Sequence, residues 1–487
     1  MGSFYIENFG CRATQADGAA LENQFLERGL ERAHEACEAE IVVLNTCTVT
    51  EGADKDARAS IRRLQRENPG CRILVTGCYA QRAPHELAAL PGVTWVVGNS
   101  HKHLAAEIAT STPPPSAPGF VPLAQLTAGS NVVVGDIFAH TELLAAPVFD
   151  AANERTRPNL KVQDGCDNRC SFCVIPFVRG QSRSLPLNRV LSDVRTLVEA
   201  GYREVVISGI NLGRWGRDFS ASHSRPSIQP TADSPRLAAR AVRFERLVRA
   251  ILDETLLEKL RISSVEPMDW SEELIALMAT SPRIAKHAHV PLQSASDAVL
   301  RRMHRKYRPW HYREKIEKIR SAMPNAAIGA DVMVGFPGET DREFEESRRM
   351  VEELPFTYLH VFTYSARPGT PAAARRDPVP VALARERNQV LREIAARKKE
   401  AFVRSQVGKS VQAITLHSGE GAFTTALTDN YLKIRIPGTE ESNRWIDVDV
   451  AGCDGELLLG LPARSVVQPQ SEIRSNPSDY SEVQQSH

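Results

Sequence analysis

The sequence predicts an α/β protein of three domains: a small α/β domain, a partial (βα)6 barrel and a small β-barrel. Residues 1 to about 105 alternate strand-like and helix-like segments, and a second alternation begins near residue 157. After about residue 408 the strand-like segments become short and are separated by turn residues. Alternating strands and helices are typical of parallel sheets, whereas closely spaced short strands are typical of small barrels. The 487 residues suffice for about three domains.

The composition is that of an ordinary globular protein, with 42% hydrophobic and 24% charged residues. No apolar run reaches the roughly 18 residues that a membrane helix needs, and the first residues lack the pattern of a secretory leader. We therefore expect a cytoplasmic protein that does not enter membranes. The net charge of +1 exerts little pull on polyanions, so nucleic-acid contacts must come from local basic patches.

The first domain is predicted over residues 1–110, and its strands are FYIENFG, IVVLNTC, RILVTGC and VTWVVG. The segment DGAALENQFLERG repeats apolar residues at helical spacing and stops at Gly29. These patterns indicate a parallel sheet with helices packed on it. Residues 111–155 begin with STPPPSAPG and contain no long periodic pattern, which favours a linker.

The barrel is predicted over residues 156–404 from six strand candidates: LKVQDG, EVVISGI, LRISSV, HAHVPL, AIGADVMVGF and YLHVFTY. Amphipathic segments such as RVLSDVRTLVEAG separate several of these strands. Six βα units indicate an open or partial parallel barrel, whose reactive groups are expected at the carboxyl ends of the strands. The Ser-, Pro- and Arg-rich stretch 217–242 is typical of a surface insertion.

A charged helix near residues 381–404 leads to the third domain, predicted over residues 405–469. Its short strands are SVQAITL, AFTTAL, YLKIRIP, RWIDVDV and GELLLG. Turn residues lie between them, which favours a small β-barrel. Residues 470–487 are polar, and we expect a disordered tail.

The segment DGCDNRCSFC follows the first barrel strand and carries Cys166, Cys170 and Cys173 with the spacing C-x3-C-x2-C. Three thiolates on one tight loop bind three irons of a 4Fe-4S cluster and leave the fourth iron open for a substrate. These cysteines are therefore the predicted catalytic centre. The alternative is a structural zinc site, but such a site needs four closed ligands, and no fourth Cys or His lies nearby in sequence.

A second trio consists of Cys11, Cys47 and Cys78, in NFGCRA, LNTCTV and TGCYAQ. Each cysteine follows the end of a predicted strand. Because the carboxyl ends of parallel strands meet at one edge of a sheet, the three thiols are expected to converge on one metal ion or cluster. The alternative is that they are buried, inert thiols, the commonest state of an isolated cysteine. No role is predicted for Cys37, Cys71 or Cys453.

The cysteine loop resembles that of the radical S-adenosylmethionine (SAM) superfamily, which has an aromatic residue before the last cysteine, as Phe172 is here. The resemblance implies that the open iron chelates SAM and that one-electron reduction splits it to a 5′-deoxyadenosyl radical. Three further segments resemble superfamily landmarks: ISGIN, ISSVEP and DVMVGFPGE. By the resemblance the cofactor-binding residues are Phe172, Ser208, Gly209, Ser264, Glu266 and Gly335.

The whole arrangement resembles the methylthiotransferases, which combine such an N-terminal domain with a radical SAM barrel and a TRAM-like RNA-binding barrel. Further segments that carry the resemblance are RGQSRS, HVPLQSASD, VGFPGET and FTYSARPGTPAA. It implies two 4Fe-4S clusters. The one on the N-terminal cysteines supplies sulfur, one SAM methylates that sulfur, and a second SAM provides the radical. The chain departs from the family at Thr14, where Asn is usual, and at Ala295, where Gly is usual.

Within that family the segments ISGINLGRWG and TDNYLKI most resemble the MtaB-type branch, which modifies threonylcarbamoyladenosine at tRNA position 37. Sibling branches act on isopentenyladenosine in tRNA or on a ribosomal protein, and they remain as alternatives. The implied partners are the tRNA anticodon stem-loop and a reductant protein such as flavodoxin or ferredoxin. We expect the protein to be a monomer.

Two segments are candidates for RNA contact. RRMHRKYRPWHYREK interleaves cations with aromatic residues, a pattern that suits unstacked bases but equally suits a solvated helix face. Tyr431, Lys433 and Arg435 are candidates in the terminal barrel.

Two further classes of protein fit the sequence less well. One is a different radical SAM enzyme in which the N-terminal cysteines are merely structural. The other is a non-enzymatic, zinc-stabilised RNA-binding protein, which would hold zinc in place of iron and would not cleave SAM.

Overall fold

The structure is a computed structural model that describes residues 2–111, 131–139, 143, 156–219, 243–416 and 422–463. The predicted tail 470–487 lies outside the described residues, as do most of the predicted linker and of the insertion at 217–242.

The N-terminal domain is a parallel six-stranded sheet in the order β2-β1-β3-β4-β5-β6. Its strands are Ser3–Asn8, Glu31–Arg32, Ile41–Thr46, Arg72–Gly77, Val93–Gly98 and Val132–Val133, numbered β1 to β6 in chain order. The four predicted strands are confirmed. The two-residue strands β2 and β6 were not predicted, because they are too short to show a period. Strand β6 lies in the segment interpreted as a linker and extends the sheet at the β5 edge.

The central domain contains six parallel strands, Asn159–Asp164 (β7), Glu204–Gly209 (β9), Lys259–Ile262 (β10), His287–His289 (β11), Ala327–Val334 (β12) and Tyr358–Thr363 (β13). They form two sheets that single bridges connect between β10 and β11. The short strand β8, Arg183–Ser184, runs antiparallel to β7 at the outer edge. No pairing joins β13 back to β7 among the described residues, so the predicted open barrel is confirmed.

The helices of these two domains cover the sheets and are Arg12–Glu27, Glu51–Glu67, Cys78–Arg82, Pro84–Ala88, Ala105–Thr110, Ile175–Arg179, Leu187–Glu199, Phe244–Glu254, Glu272–Thr280, Asp297–Arg302, Pro309–Ala322 and Asp341–Glu353. Their apolar faces pack on the strands, as Val190, Val194 and Leu197 do on β7 and β9. None of the helices in the described part of the chain has the length and apolar character needed to cross a membrane.

The C-terminal domain follows a long helix, Val381–Arg404, and is a closed barrel in the order β14-β15-β16-β18-β17. Its strands are Ser410–Thr415, Phe423–Thr428, Lys433–Pro437, Trp445–Asp454 and Leu457–Pro462, numbered β14 to β18. The barrel packs against the amino-terminal ends of the central strands. There Arg261 donates to the carbonyl of Asp429 at 3.1 Å, and Asn430 donates to the carbonyl of Asn325 at 3.1 Å.

Candidate active site

The predicted catalytic cysteines lie on the loop that follows β7, at the carboxyl end of the first barrel strand. Backbone hydrogen bonds hold the loop: Cys166 N donates to the Gly180 carbonyl at 3.1 Å, and Cys173 N donates to the Cys170 carbonyl at 3.1 Å. Burial, together with the neighbouring thiols of Cys170 and Cys166, raises the pKa of Cys173 to about 12. Three crowded thiols of this kind are stable as thiolates only when a metal or cluster neutralises them. The donor set therefore fits a three-cysteine 4Fe-4S cluster.

Two polar side chains hydrogen-bond the sulfur atoms of this loop. Arg305 Nη1 lies 3.3 Å from Cys170 Sγ, and Asn211 Nδ2 lies 3.6 Å from Cys166 Sγ. Arg305 also forms an ion pair with Glu266, and its guanidinium is buried. Hydrogen bonds and positive charge next to cluster sulfurs raise the reduction potential of a cluster.

The N-terminal trio is assembled by the parallel sheet. Strands β1, β3 and β4 are neighbours, with Asn8 paired to Asn45 and Thr46 paired to Gly77. The chain turns immediately after each of these ends, and Cys11, Cys47 and Cys78 occupy the turns. The predicted convergence of the three thiols on one edge is therefore what the topology produces.

The glycines of these turns are required. Gly10 has a φ of +100°, and a Cβ on it would lie 2.6 Å from Cys47 Cβ. Gly77 also has a φ of +100°, and a Cβ there would lie 2.3 Å from the Thr46 carbonyl oxygen. Because other residues rarely adopt a φ in this range, the two cysteine turns depend on glycine.

The environment of the N-terminal trio resembles that of the first trio. Cys47 and Cys78 are buried, whereas Cys11 is exposed. Burial, together with the neighbouring thiols of Cys78 and Cys11, raises the pKa of Cys47 to about 12. Asn99 Nδ2 lies 3.5 Å from Cys78 Sγ. Three thiols that affect one another in this way fit a second cluster.

The N-terminal cysteine site contacts the segment that follows the barrel cysteines. Cys78 packs against Val174 and Val178, which follow the last cysteine of the barrel loop. Asn99 donates to the Val178 carbonyl at 2.8 Å and contacts Cys78 through the same amide nitrogen. The N-terminal domain therefore lies on the segment that carries the barrel cysteines.

A buried ionic network joins the same two domains. Asp17 forms ion pairs with Lys102 at 2.9 Å, with Arg179 at 3.0 Å and with Lys161. Arg179 and Lys161 also form ion pairs with Asp164, each at 3.0 Å. All five side chains are nearly inaccessible to solvent. Burial opposes ionisation of Asp17, but the three cations overcome it and hold the pKa of Asp17 well below its usual value. The network has three cations for two carboxylates, so it leaves positive charge next to the N-terminal cysteines.

Three of the residues implied to contact SAM line one cavity: Ser208, Gly209 and Ser264. Ser208 is buried, and its hydroxyl has no hydrogen-bond partner among the described residues. A Cβ on Gly209 would lie 2.9 Å from Gln163 Cβ, so the position has no room for a side chain. An unpaired buried hydroxyl beside a bare backbone fits a polar ligand.

The other three residues have contacts within the protein. Phe172 packs among apolar residues near Phe336, and Glu266 is paired with Arg305. Gly335 has a φ of +72°, donates its N–H to Glu339 and faces Ala384 of the long helix. These contacts explain why the chain needs these residues, and the proposal that they contact SAM stays a prediction.

The cavity has a volume of about 1080 Å³ and is formed by all three domains. Cys11 and Arg12 line it from the N-terminal domain, and Tyr431 and Lys433 line it from the C-terminal barrel. Five cationic side chains line it, Arg12, Arg157, Arg392, Lys399 and Lys433, against two carboxylates, Asp454 and Glu456. Since the net charge of the chain is only +1, this is a local concentration of positive charge.

The cavity wall carries histidines that the sequence did not assign. His287 is buried, and its Nε2 lies 2.7 Å from the Tyr358 hydroxyl. On three adjacent strands, His289, Asp331 and His360 have ligand atoms within 4.8 Å of one another. This donor set binds first-row divalent metals and equally hydrogen-bonds a polar substrate.

The segment RRMHRKYRPWHYREK is not a continuous RNA-contact surface. Tyr307 and Tyr312 are buried. The Tyr307 hydroxyl donates to the Leu292 carbonyl, and the Tyr312 hydroxyl donates to the Val290 carbonyl at 2.7 Å. Only Trp310 of the three aromatic residues is exposed. The interleaved pattern therefore reflects a helix with one buried face. Tyr431 likewise points inward, with its ring 4.8 Å from that of His287.

Comparison with known proteins agrees with this geometry. Residues 3–98 match the model of uncharacterized protein family UPF0004, and residues 160–351 match that of the radical SAM superfamily. The threonylcarbamoyladenosine tRNA methylthiotransferase MtaB of Aquifex aeolicus (strain VF5) is 33% identical over 445 residues, which cover 91% of this chain and 98% of the relative.

A tRNA-2-methylthio-N(6)-dimethylallyladenosine synthase of Novosphingobium aromaticivorans is 31% identical and covers 86% of this chain and 87% of the relative. Among solved structures, the radical SAM methyltransferase TsrM of Kitasatospora setae has the same fold, with a TM-score of 0.50 at 16% identity over 76% of this chain and 74% of that one. The chain belongs to the radical SAM methylthiotransferase family.

Proposed function

We propose that this protein adds a methylthio group to carbon 2 of threonylcarbamoyladenosine at tRNA position 37, with SAM as methyl donor and radical source. The observation that carries the proposal is the cavity that the three domains share. Cys11 of the N-terminal domain, Ser208 and Ser264 of the central barrel, and Lys433 of the C-terminal barrel all line it. A nucleoside in this cavity lies beside Cys11 of the N-terminal cysteine site, while the rest of the RNA stays outside, at the C-terminal barrel.

Family membership implies two 4Fe-4S clusters and SAM, and the two cysteine trios have the donor sets that such clusters require. When bound, these groups supply one-electron cleavage of the SAM sulfonium and a transferable sulfur. Each cysteine trio would hold three irons of its cluster and would leave a fourth iron open to another ligand. The unpaired Ser208 hydroxyl and the bare backbone of Gly209 offer hydrogen bonds to SAM beside the barrel cysteines.

A fixed positive charge of the protein lies beside each cysteine trio. Arg305 donates a hydrogen bond to Cys170, and Arg179 lies in the network beside the N-terminal trio. Each fixed cation favours the reduced, more negative state of the nearby cluster without any reorganisation during the reaction.

The charge of the cavity favours threonylcarbamoyladenosine over isopentenyladenosine. Overall sequence identity separates the two branches only weakly, at 33% and 31% for the two relatives compared. The threonylcarbamoyl group carries a carboxylate, whereas the isopentenyl group is apolar. The wall carries five cations against two carboxylates, and this excess of positive charge suits the acidic group better than the apolar one.

The remaining alternatives have less support. Membership of an enzyme family contradicts the non-enzymatic zinc protein. The relatives compared are tRNA enzymes by name, which favours tRNA over a ribosomal protein as the substrate.

The partners that follow from the proposal are the tRNA anticodon stem-loop and a reductant protein such as flavodoxin or ferredoxin. In the described part of the chain Trp310, Lys433 and Arg435 are exposed at positions suited to RNA contact. We propose that the protein acts as a monomer in the cytoplasm, since one chain contributes both cysteine trios and the cavity.

The test is mass spectrometry of tRNA nucleosides from cells with and without the protein. We expect the methylthio form of threonylcarbamoyladenosine to disappear when the gene is deleted and to return with the wild-type gene but not with Cys47→Ala. If the methylthio form persists in the deletion strain and no other route makes it, the proposed substrate is wrong. Loss of the methylthio form of isopentenyladenosine instead would point to the sibling branch.

A further inference from the structure

Arg12 is the cavity cation that lies nearest in sequence to a predicted cluster ligand. It follows Cys11 directly and is the first residue of the helix Arg12–Glu27. Its carbonyl accepts a hydrogen bond from Asn159 Nδ2 at 3.0 Å, which fixes the backbone of this turn to the central barrel. The side chain is partly buried and lines the cavity.

The Arg12 guanidinium has no hydrogen bond or ion pair with any described residue. The other four cations that line the cavity either lie near a carboxylate or are exposed at its rim. Lys399 is paired with Glu456, and Arg157 lies 3.8 Å from a Glu204 oxygen. Arg392 and Lys433 are exposed at the rim. Arg12 therefore combines partial burial with unused hydrogen-bonding capacity, an arrangement that is costly unless a ligand pairs with it.

The neighbours of Arg12 do not neutralise it. Burial lowers the pKa of His287, and the positive charges of Arg261, His289 and Arg12 lower it further. A neutral His287 adds no charge of its own to this part of the cavity. The carboxylate of Asp331 lies beside His289, 3.3 Å from its Nε2, and so has a partner elsewhere on the wall.

We propose that Arg12 binds the carboxylate of the threonylcarbamoyl group and thereby selects the substrate. This inference rests on the proposed function and names the residue that recognises the substituent. Carbon 2 of adenine is separated from the carbon that bears N6 by a single ring atom, so both lie on the Watson–Crick edge of the base. When carbon 2 faces the N-terminal cysteine site, the N6 substituent lies at the same end of the cavity. The cation there is Arg12.

Arginine suits this task because its planar guanidinium matches a carboxylate through two parallel hydrogen bonds. An isopentenyl group at the same place would leave the cation desolvated and unpaired. Arg12 therefore both attracts the acidic substituent and disfavours the apolar one, and specificity commonly uses both effects.

The test compares two anticodon stem-loops that differ only in this carboxylate: one carries threonylcarbamoyladenosine and the other its neutral methyl ester. Equilibrium binding to the anaerobically reconstituted enzyme is measured by fluorescence anisotropy. We expect the wild-type enzyme to bind the acid about 10- to 100-fold more tightly than the ester, the range of a charge-assisted hydrogen bond. Arg12→Gln should bind both stem-loops with the affinity that the wild type has for the ester.

Two further variants serve as controls. Arg62→Gln removes an exposed cation of the helix Glu51–Glu67, outside the cavity, and should keep the full preference for the acid. Arg12→Lys keeps the charge but not the planar fork and should keep part of the preference. Iron content is measured in each variant, and if Arg12→Gln loses iron, the comparison of acid and ester on Arg12→Lys decides.

The outcomes separate this inference from the proposed function. If the wild type makes the methylthio product on the acid but Arg12→Gln keeps the full preference, Arg12 is not the recognition group. The same conclusion follows if the wild type binds acid and ester equally. If Arg12→Gln cannot be loaded with iron, a full preference for the acid in Arg12→Lys leads to that conclusion as well. If the wild type modifies only an isopentenyladenosine stem-loop, the proposed function itself is wrong.

Discussion

The two cysteine trios reach the same donor set in opposite ways. Cys166, Cys170 and Cys173 lie on one loop, so eight consecutive residues bring their sulfur atoms together. Cys11, Cys47 and Cys78 span 68 residues of the sequence, counted from the first to the last, and only the parallel pairing of β1, β3 and β4 brings them together. The first set, called the loop trio below, depends on local backbone geometry. The second set, called the sheet trio below, depends on the fold of the whole N-terminal domain.

The sharpest test of this comparison removes one ligand from each trio. Cys47→Ala should abolish methylthio product, and the iron content should fall by one cluster, while SAM cleavage by the reduced enzyme continues. Cys170→Ala should abolish both product and SAM cleavage, because in the proposed function its loop would hold the iron that binds SAM. The measurements are iron and sulfide analysis, 5′-deoxyadenosine formation and product mass spectrometry. Cys37→Ala, which changes an exposed thiol outside both trios, is the control.

Retained product in Cys47→Ala would remove Cys47 from the ligand set. An iron content of one cluster in the wild type would favour a different radical SAM enzyme with structural N-terminal cysteines.

The next largest effect is expected from Arg179, which follows the loop trio in sequence but whose charge acts on the sheet trio. Burial disfavours its charged form, but Asp164, Cys78 and Asp17 raise the pKa of Arg179 well above its usual value. Arg179→Gln leaves Asp17 and Asp164 with fewer cations, and breaking a buried ion pair in this way costs about 3–5 kcal/mol. Denaturant unfolding of the reconstituted protein measures the loss.

The same variant should lower the reduction potential of the N-terminal cluster more than that of the loop cluster. Potentiometric titration followed by electron paramagnetic resonance distinguishes the two. The control is Arg195→Gln, whose exposed pair with Glu254 contributes at most about 1 kcal/mol. If both variants lose the same stability, the network is not what joins the two domains.

The sequence allowed much of this comparison to be predicted, for physical reasons that differ between the sites. The loop trio was identifiable from spacing alone, because a cluster constrains neighbouring ligands. The sheet trio was identifiable because apolar segments before Cys47 and Cys78 mark buried parallel strands. The three domain types were predicted from periodicity, and the sheet topology confirms them.

The buried polar contacts could not be predicted. Asp17 lies in a helical pattern where a polar residue is expected to face solvent, and only the docking of the central domain buries it against Lys161 and Arg179. Tyr307 and Tyr312 belong to the segment interpreted as a candidate RNA contact because its cations alternate with aromatic residues, whereas their rings face the core. A one-dimensional pattern does not report which polar residues meet across a domain boundary.

A smaller effect is expected from Arg305, the residue that links the loop trio to the rest of the barrel. Arg305→Gln removes the hydrogen bond to Cys170 and leaves Glu266 without its partner. Because residues in direct contact with metal ligands typically contribute 10- to 100-fold to activity, SAM cleavage should slow by about that factor. The potential of the loop cluster should fall while that of the N-terminal cluster stays unchanged. Arg313→Gln, at an exposed pair with Glu353, is the control, and an equal slowing there would contradict the assignment.

The smallest effect concerns Thr14, where the sheet trio departs from its family. The Thr14 hydroxyl lies 3.5 Å from Cys11 Sγ, and the Thr14 carbonyl accepts from Asn45 at 2.8 Å. Thr14→Val keeps the shape and the backbone contact but removes the hydroxyl, which is worth about 0.5–1.5 kcal/mol as a hydrogen bond. We expect full iron content, a reduction potential shifted slightly downward at the N-terminal cluster alone, and a loss of product of no more than about tenfold. Thr110→Val, whose hydroxyl bonds a helix carbonyl far from both trios, should leave that potential unchanged. A shift at the loop cluster in Thr14→Val would mean that the two trios, despite their different origins, respond as one electrostatic unit.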